Sequence, residues 1–299
     1  MNDAASAPGL SIIVVAADSG PTLRECVRRA LASDVAVELI VLDNASTDGV
    51  PQAVEREHAG DARVRVVYHG ANLGFGPAVN RGAALARAPA LLILNPDCLL
   101  ETGSASRLLA VLRGEANAGL VAAVICDPDG TPDAASRRRD PLLRRALNTL
   151  SGRAAREAAE PRCAGINVPG PMPAGVEDEE AISGALMLLP KPLFDALGGF
   201  DEGYFLHCED LDLCRRVRDA GARVLLAGDV RVRHVRSSSS LHRPVFVSRH
   251  KHRGMWRWFR KFDPAARNPL LAAAVWCGIW LHFIAGIPGA LLRRRTLHP

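Results

Sequence analysis

Asn95-Pro96-Asp97 closes the apolar run ALLIL, and a carboxylate there is placed to hold a hard divalent cation against a diphosphate, because such ions take oxygen ligands. The same tripeptide also reads as an ordinary turn ending a strand. Glu209, Asp210 and Asp212 crowd the start of a helical segment, EDLDLCRRVRDAG, where the helix dipole stabilises anions. One of them could equally be a general base aimed into a cleft. His234, between Arg233 and Arg236, reads as a ligand or as a satisfied structural histidine. The small polar residues of Asp43 to Gly49 suit a loop running into a helix capped near Asp48, with Pro51 in its first turn. Taken singly, none of these decides the chemistry.

The elements that must position them follow from periodicity. At 299 residues, 48% hydrophobic and 23% charged, the chain is an ordinary globular one, not a fibrous, coiled-coil or disulfide-stapled protein. Five apolar runs (SIIVV, VELIVL, VRVVY, ALLIL, LVAAVI) alternate with helical stretches over 22–32, 51–58, 77–87 and 104–113. That alternation predicts an α/β protein with a doubly wound, Rossmann-like, mostly parallel sheet and helices on both faces, binding ligands beyond the carboxyl ends of its strands. Periodicity is lost from 127 to 180, which reads as a loop-rich, partly mobile insertion whose arginines, Arg137 to Arg145, face solvent. Order returns with a strand in ISGALMLLP, a short helix in PLFDALG, the helix from Glu209 to its Gly221 stop, and two strands, ARVLLAG and VRVRHV. The expected division is a catalytic-sized domain over 8–240 and a helical region over 241–299.

Seven cysteines form no CxxC pair and cannot all be bridged internally, which points to a reduced, cytoplasmic compartment. The N-terminus has no basic segment before its apolar run, so that run reads as a first strand, not as a signal peptide. The net charge of +5 is local: ten basic and no acidic residues lie between Val230 and Phe262, and the rest of the chain is net negative. From Arg249 to Phe262, cations alternate with Trp256, Trp258, Phe259 and Phe262, a composition suited to a membrane interface. Leu270 to Leu292 would make a helix of about 35 Å, long enough to cross a bilayer, and otherwise a buried helix or a dimer contact. No nucleic-acid-binding motif accompanies the arginines, so no nucleic-acid partner is expected.

In their order, SIIVVAADSG, VLDNASTDG, NLGFGPAVNRG, LLILNPD, SGALMLLPKPLFDALGGFDEGYFLHCEDLDLCRR and VRHVRSSSS, the motifs resemble the family 2 inverting glycosyltransferases, within them the bacterial rhamnosyltransferase-like branch. The resemblance covers roughly Leu10 to Ser240 and implies a GT-A fold that transfers a sugar, such as rhamnose, from a nucleotide-diphosphate donor with inversion. It implies donor binding through Asp43, Asn95, Asn80 and Gly74, a metal, Mn²⁺ or Mg²⁺, on Asp97 and His234, and Asp210 as base with Glu209 beside it. It also implies a saccharide or polyprenyl-diphosphate-linked acceptor, a role in cell-surface polysaccharide synthesis, and a place on the inner face of the cell membrane. Where the family's first strand commonly ends in an aromatic followed by Asn, this chain has Ala17-Asp18, which leaves the donor nucleotide open. A nucleotidyltransferase or other nucleotide-sugar enzyme on the same core would leave the GGFDE…EDLDL block without a reason.

Overall fold

The computed structural model describes residues 8–235 and 243–296, excepting the side chains of 290 and 292–296. Arg236, the serines of VRHVRSSSS and the arginines at 293–295 therefore lie outside what is described. The elements are β1 (Leu10–Ala16), α1 (Thr22–Leu31), β2 (Val37–Asp43), α2 (Val50–Glu57), β3 (Val64–Tyr68), α3 (Phe75–Leu85), β4 (Ala90–Leu94), β5 (Cys98–Leu99), α4 (Ser104–Gly114) and β6 (Ala118–Cys126). There follow α5 (Leu143–Leu150), β7 (Val176–Asp178), β8 (Leu186–Pro190), α6 (Lys191–Ala196), α7 (Glu209–Asp219), β9 (Arg223–His234), α8 (Pro244–Phe262) and α9 (Pro269–Thr296).

One sheet runs in the order β3-β2-β1-β4-β8-β6-β9-β5, with β7 added on β9. β1 to β4 are mutually parallel, β8 is antiparallel to both its neighbours, and β6 and β9 are parallel. β1, β2 and β4 are buried along their whole length, as unbroken Val/Ile/Leu runs require when helices cover both faces. One core packs α1, α2 and α4 against one face, and a second packs α3, α6, α7 and Trp258 of α8 against the other. Helix α1 shows why: Leu23, Cys26, Val27 and Ala30 form its buried stripe, while Arg28 pairs with Glu25 outside it. The polarity of the strands sends the ends of β1, β2, β4, β6 and β9, the start of β8 and the start of α7 to one edge.

Three expectations are corrected. ARVLLAG and VRVRHV form one strand, β9, because Gly228, Asp229 and Val230 bulge out between Ala227, opposite Ala123, and Arg231, opposite Val124. Of the Arg137–Arg145 cluster only Arg144 faces solvent: Arg137 pairs with Glu179, Arg138 with Asp210, Arg139 with Glu157 and Arg145 with Glu180, all four with side chains under one-fifth exposed. Much of the basic-aromatic segment is internal. Trp258 and Phe259 are buried, Arg257 and Lys261 pair with Asp201, and Lys261 also reaches Asp212 of α7.

Candidate active site

The two-residue strand β5 lies antiparallel on the end of β9, Cys98 opposite His234, and Val235 N donates to Asp97 O at 2.9 Å. This register sets His234 Nε2 3.0 Å from Asp97 Oδ1. Cys98 Sγ shares the cluster, whose candidate ligand atoms all lie within 4.8 Å of one another. Burial pushes the Cys98 thiol well above its ordinary value, so the effective donor set is a carboxylate and an imidazole. Such a set fits a divalent ion of the Mn²⁺ kind.

Asp43 ends β2 buried, its Oδ1 accepting from Ser46 N at 2.9 Å, which closes the loop into α2. Asp18 folds over the same loop, its Oδ1 accepting from Thr47 N at 2.6 Å. Asn95 N donates to Ala185 O at 2.9 Å and so ties the end of β4 to the start of β8. Gly74 and Asn80, the other two expected donor contacts, are engaged within the chain. Gly74 has φ +91°, and a Cβ on it would sit 2.6 Å from Phe205 O, so only glycine lets this turn meet the 205 loop. Its N–H goes to Asn72 Oδ1 and its carbonyl accepts from Asn44 Nδ2, both at 2.9 Å. Asn80 Oδ1 accepts from Phe200 N at 2.8 Å, and its Nδ2 donates to Phe200 O at 2.9 Å and Glu202 Oε1 at 3.0 Å. Asn80 therefore anchors the GGFDE loop on α3, and the φ of +70° at Gly199 lets that loop close over it.

Helix α7 opens on the acidic pair. His207 and Cys208 precede it with φ of +66° and +71°, two non-glycine residues in the left-handed region, a strained entry that turns Glu209 inward. Glu209 is buried, with Oε2 lacking a hydrogen-bond partner, and burial together with the charge of Asp210 raises its carboxyl above the ordinary range. Asp210 accepts from Leu211 N at 2.8 Å and Gly184 N at 3.1 Å, and its Oδ2 also takes a hydrogen bond from Arg138 Nη2. Burial would raise this carboxyl; the Arg138 guanidinium more than offsets that and holds it below the ordinary value. Gly184 and Ala185 thus carry Asp210 on one residue and Asn95 on the next, so the base candidate and the end of β4 share a dipeptide.

Three contributors escaped the reading of the sequence. Asn44, buried, bridges Gly74 and His69, whose Nδ1 lies 3.1 Å from its Oδ1. Gly184 looked like part of a strand. Arg138 sat in an aperiodic arginine cluster, and its partner is 72 residues away. An Asn directly after a strand-end Asp was the one available signal; for Arg138 the local sequence offers none.

The family model Glycosyl transferase family 2 matches residues 11–167, from β1 through β6 and into the insertion, so α7 and His234 lie beyond the matched segment. The N-acetylglucosaminyl-diphospho-decaprenol L-rhamnosyltransferase of Mycobacterium tuberculosis is 29% identical over 88% of this chain and 92% of its own length. The rhamnosyltransferase WbbL of Escherichia coli K12 is 34% identical over 30% of this chain and 32% of its own. Among solved structures, the mannosyltransferase PcManGT of Pyrobaculum calidifontis, in complex with GDP-Man and Mn²⁺, superposes with a TM-score of 0.58 at 20% identity, over 97% of this chain and 74% of that one. GalNAc-T7 with UDP, GalNAc and Mn²⁺ gives 0.57 at 16% identity, over 77% of this chain and 44% of that one. These likenesses show the GT-A fold. With the family model matching more than half of its length, the chain belongs to glycosyl transferase family 2.

Proposed function

We propose that this glycosyltransferase moves a rhamnosyl unit, with inversion, from a nucleotide-diphosphate sugar to a saccharide carried on a polyprenyl diphosphate at the inner face of the membrane. The observation that carries the reading is the Gly184-Ala185 dipeptide, which hydrogen-bonds Asp210 through one residue and Asn95 through the other. It puts a proton acceptor beside the strand end that carries Asp97. The similarity to the mycobacterial enzyme supports the sugar and the acceptor class.

Asp97 and His234 would hold a divalent ion, which when bound neutralises the leaving diphosphate. Asp43 and the loop it closes line the edge where the donor's nucleoside would lie. Asp210 accepts the proton of the acceptor hydroxyl as that oxygen bonds to the anomeric carbon. The bond from that carbon to the diphosphate breaks, and its electron pair leaves with the nucleotide. Glu209 contributes a buried, neutral carboxyl behind the base. Attack opposite the leaving group inverts the anomeric centre.

The membrane half of the reading rests on α9, which is apolar from Pro269 to Gly289 with a mean hydropathy of 2.0 and only 6% of its most apolar stretch buried. Leu270, Trp276, Leu281 and Ile284 are exposed along it, so it is not a core helix of this chain. The exposed cations of α8 are Arg249, Lys251, Arg253, Arg257, Arg260 and Lys261, of which Arg257 and Lys261 are already paired with Asp201. The test is transfer from a nucleotide-diphospho-rhamnose to an N-acetylglucosaminyl-diphospholipid. Asp210→Asn is expected to lose turnover by roughly 10³-fold or more while its Mn²⁺-dependent donor affinity stays within about 3-fold of wild type, because a base acts in the transition state. Turnover surviving in that variant sinks the assignment of Asp210.

A further inference from the structure

The insertion over 127–180 delivers one side chain to the catalytic helix. Arg137, Arg138 and Arg139 run in an extended stretch pinned on both sides: Val168 N donates to Arg137 O at 3.0 Å, Arg139 N to Ile166 O at 2.7 Å, and Arg138 exchanges hydrogen bonds with Ala181 at 2.8 and 2.9 Å. In such a stretch successive side chains point to opposite sides. Arg137 and Arg139 accordingly turn to one side, to Glu179 and Glu157, and Arg138 to the other, towards α7. Its Nη2 bridges Ile182 O and Asp210 Oδ2, with both charged side chains 14% exposed. Asp140, just beyond, is held by Arg215 and Arg218 of α7 itself. The segment is thus laced to the helix whose first turn carries the base.

We propose that Arg138 is a positioning residue for the transfer reaction, holding the Asp210 carboxylate charged and in a single orientation towards the acceptor hydroxyl. The proposal rests on the reading of Asp210 as the base. Its physical content is that three donors, Arg138 Nη2, Gly184 N and Leu211 N, fix both carboxylate oxygens, and only the first brings charge. The other groups around Asp210 do not replace it. Glu209 and Cys214 of α7 and Cys208 before it are acids, and a charge on any of them opposes ionisation of Asp210. His207 precedes the helix, and burial lowers its affinity for a proton. Lys251 of α8 faces His207 and Cys208.

The experiment is the pH profile of kcat with saturating donor, Mn²⁺ and acceptor, for the full chain and for Arg138→Gln and Arg138→Lys, with donor affinity measured alongside. In wild type, kcat is expected to hold constant down to about pH 5, since an ion-paired aspartate protonates only below its ordinary value near 3.9. Arg138→Gln is expected to move the acid limb upward by about 1–2 pH units, with donor affinity within about 3-fold of wild type. Arg138→Lys, which keeps the charge without the planar fork, is expected to place the limb between the two. A loss of kcat by the same factor at every pH, with the limb unmoved in both variants, would mark Arg138 as merely structural and overturn the proposal. A wild-type limb at or above pH 7 overturns it however the variants fold. These failures are distinct from failure of the functional reading itself, which shows as turnover surviving in Asp210→Asn.

Discussion

At the scale of single residues, the proposed metal corner and the proposed base obey different rules. Asp97 and His234 meet because a two-residue strand pairs in register with the end of β9, so the carboxylate supplies charge and the imidazole a second donor. Asp97→Ala is expected to abolish the Mn²⁺-dependent thermal shift produced by a nucleotide-diphosphate sugar, and His234→Ala to weaken metal affinity by about 10–100-fold, both read by titrating Mn²⁺ against unfolding temperature. An unchanged titration in either variant removes that residue from the corner. Asp97, His234, Asp43, Asn95 and Asp210 were legible as positions because each stands at or beside the boundary of a periodic element, the first four at strand ends and Asp210 in the first turn of α7. Gly74 and Asn80 were legible as positions but not as roles. The close approach of Phe205 fixes Gly74, and Phe200 and Glu202 take up the Asn80 amide, neighbours more than a hundred residues on, and nothing local announces such a contact.

At the scale of elements, the parallel strands and their helices lie within two residues of where periodicity puts them, because Val/Ile/Leu runs buried on both faces have no competing solution. What could not be read is which way a charged segment faces. Arginines in an aperiodic stretch look solvated until their carboxylates arrive from β7 and the residues just after it, from Glu157 and from α7. The same holds for α8, whose tryptophans look interfacial in sequence. Trp258 is 1% exposed and packs in the second core with Leu211 and Val217 of α7 in the same cluster. Trp258→Ala is therefore expected to cost about 3–5 kcal/mol of stability, measured by urea unfolding in detergent, and to lower the midpoint without changing vesicle binding. A cost below about 1 kcal/mol would return Trp258 to the lipid side.

At the scale of the whole molecule, the catalytic body and the apolar helix are joined by α8 and a short 3₁₀ turn, Pro264–Arg267, opened by Asp263, whose Oδ2 accepts from Leu143 N at 2.6 Å. α8 and α9 also meet at His252 Nε2 and His282 Nδ1, 2.9 Å apart. Ending the chain after Arg267 is expected to abolish the need for detergent yet leave binding to anionic vesicles that falls steeply between 0.1 and 1 M salt. The exposed cations of α8 would each be worth about 1 kcal/mol at low salt and are screened at high salt. Full-length protein that stays soluble without detergent and ignores such vesicles would refute the membrane role of α9. Lys261 completes the joint: its Nζ lies 2.8 Å from Asp201 Oδ2 and 2.6 Å from Asp212 Oδ2, so one ammonium binds α8 to both the GGFDE loop and α7. With α9 in lipid, that rigid joint leaves the enzyme no leash. It drifts in a plane with its mouth at one height, and its encounters with a lipid-borne acceptor scale with how many acceptors share each patch of membrane, not with their number per litre.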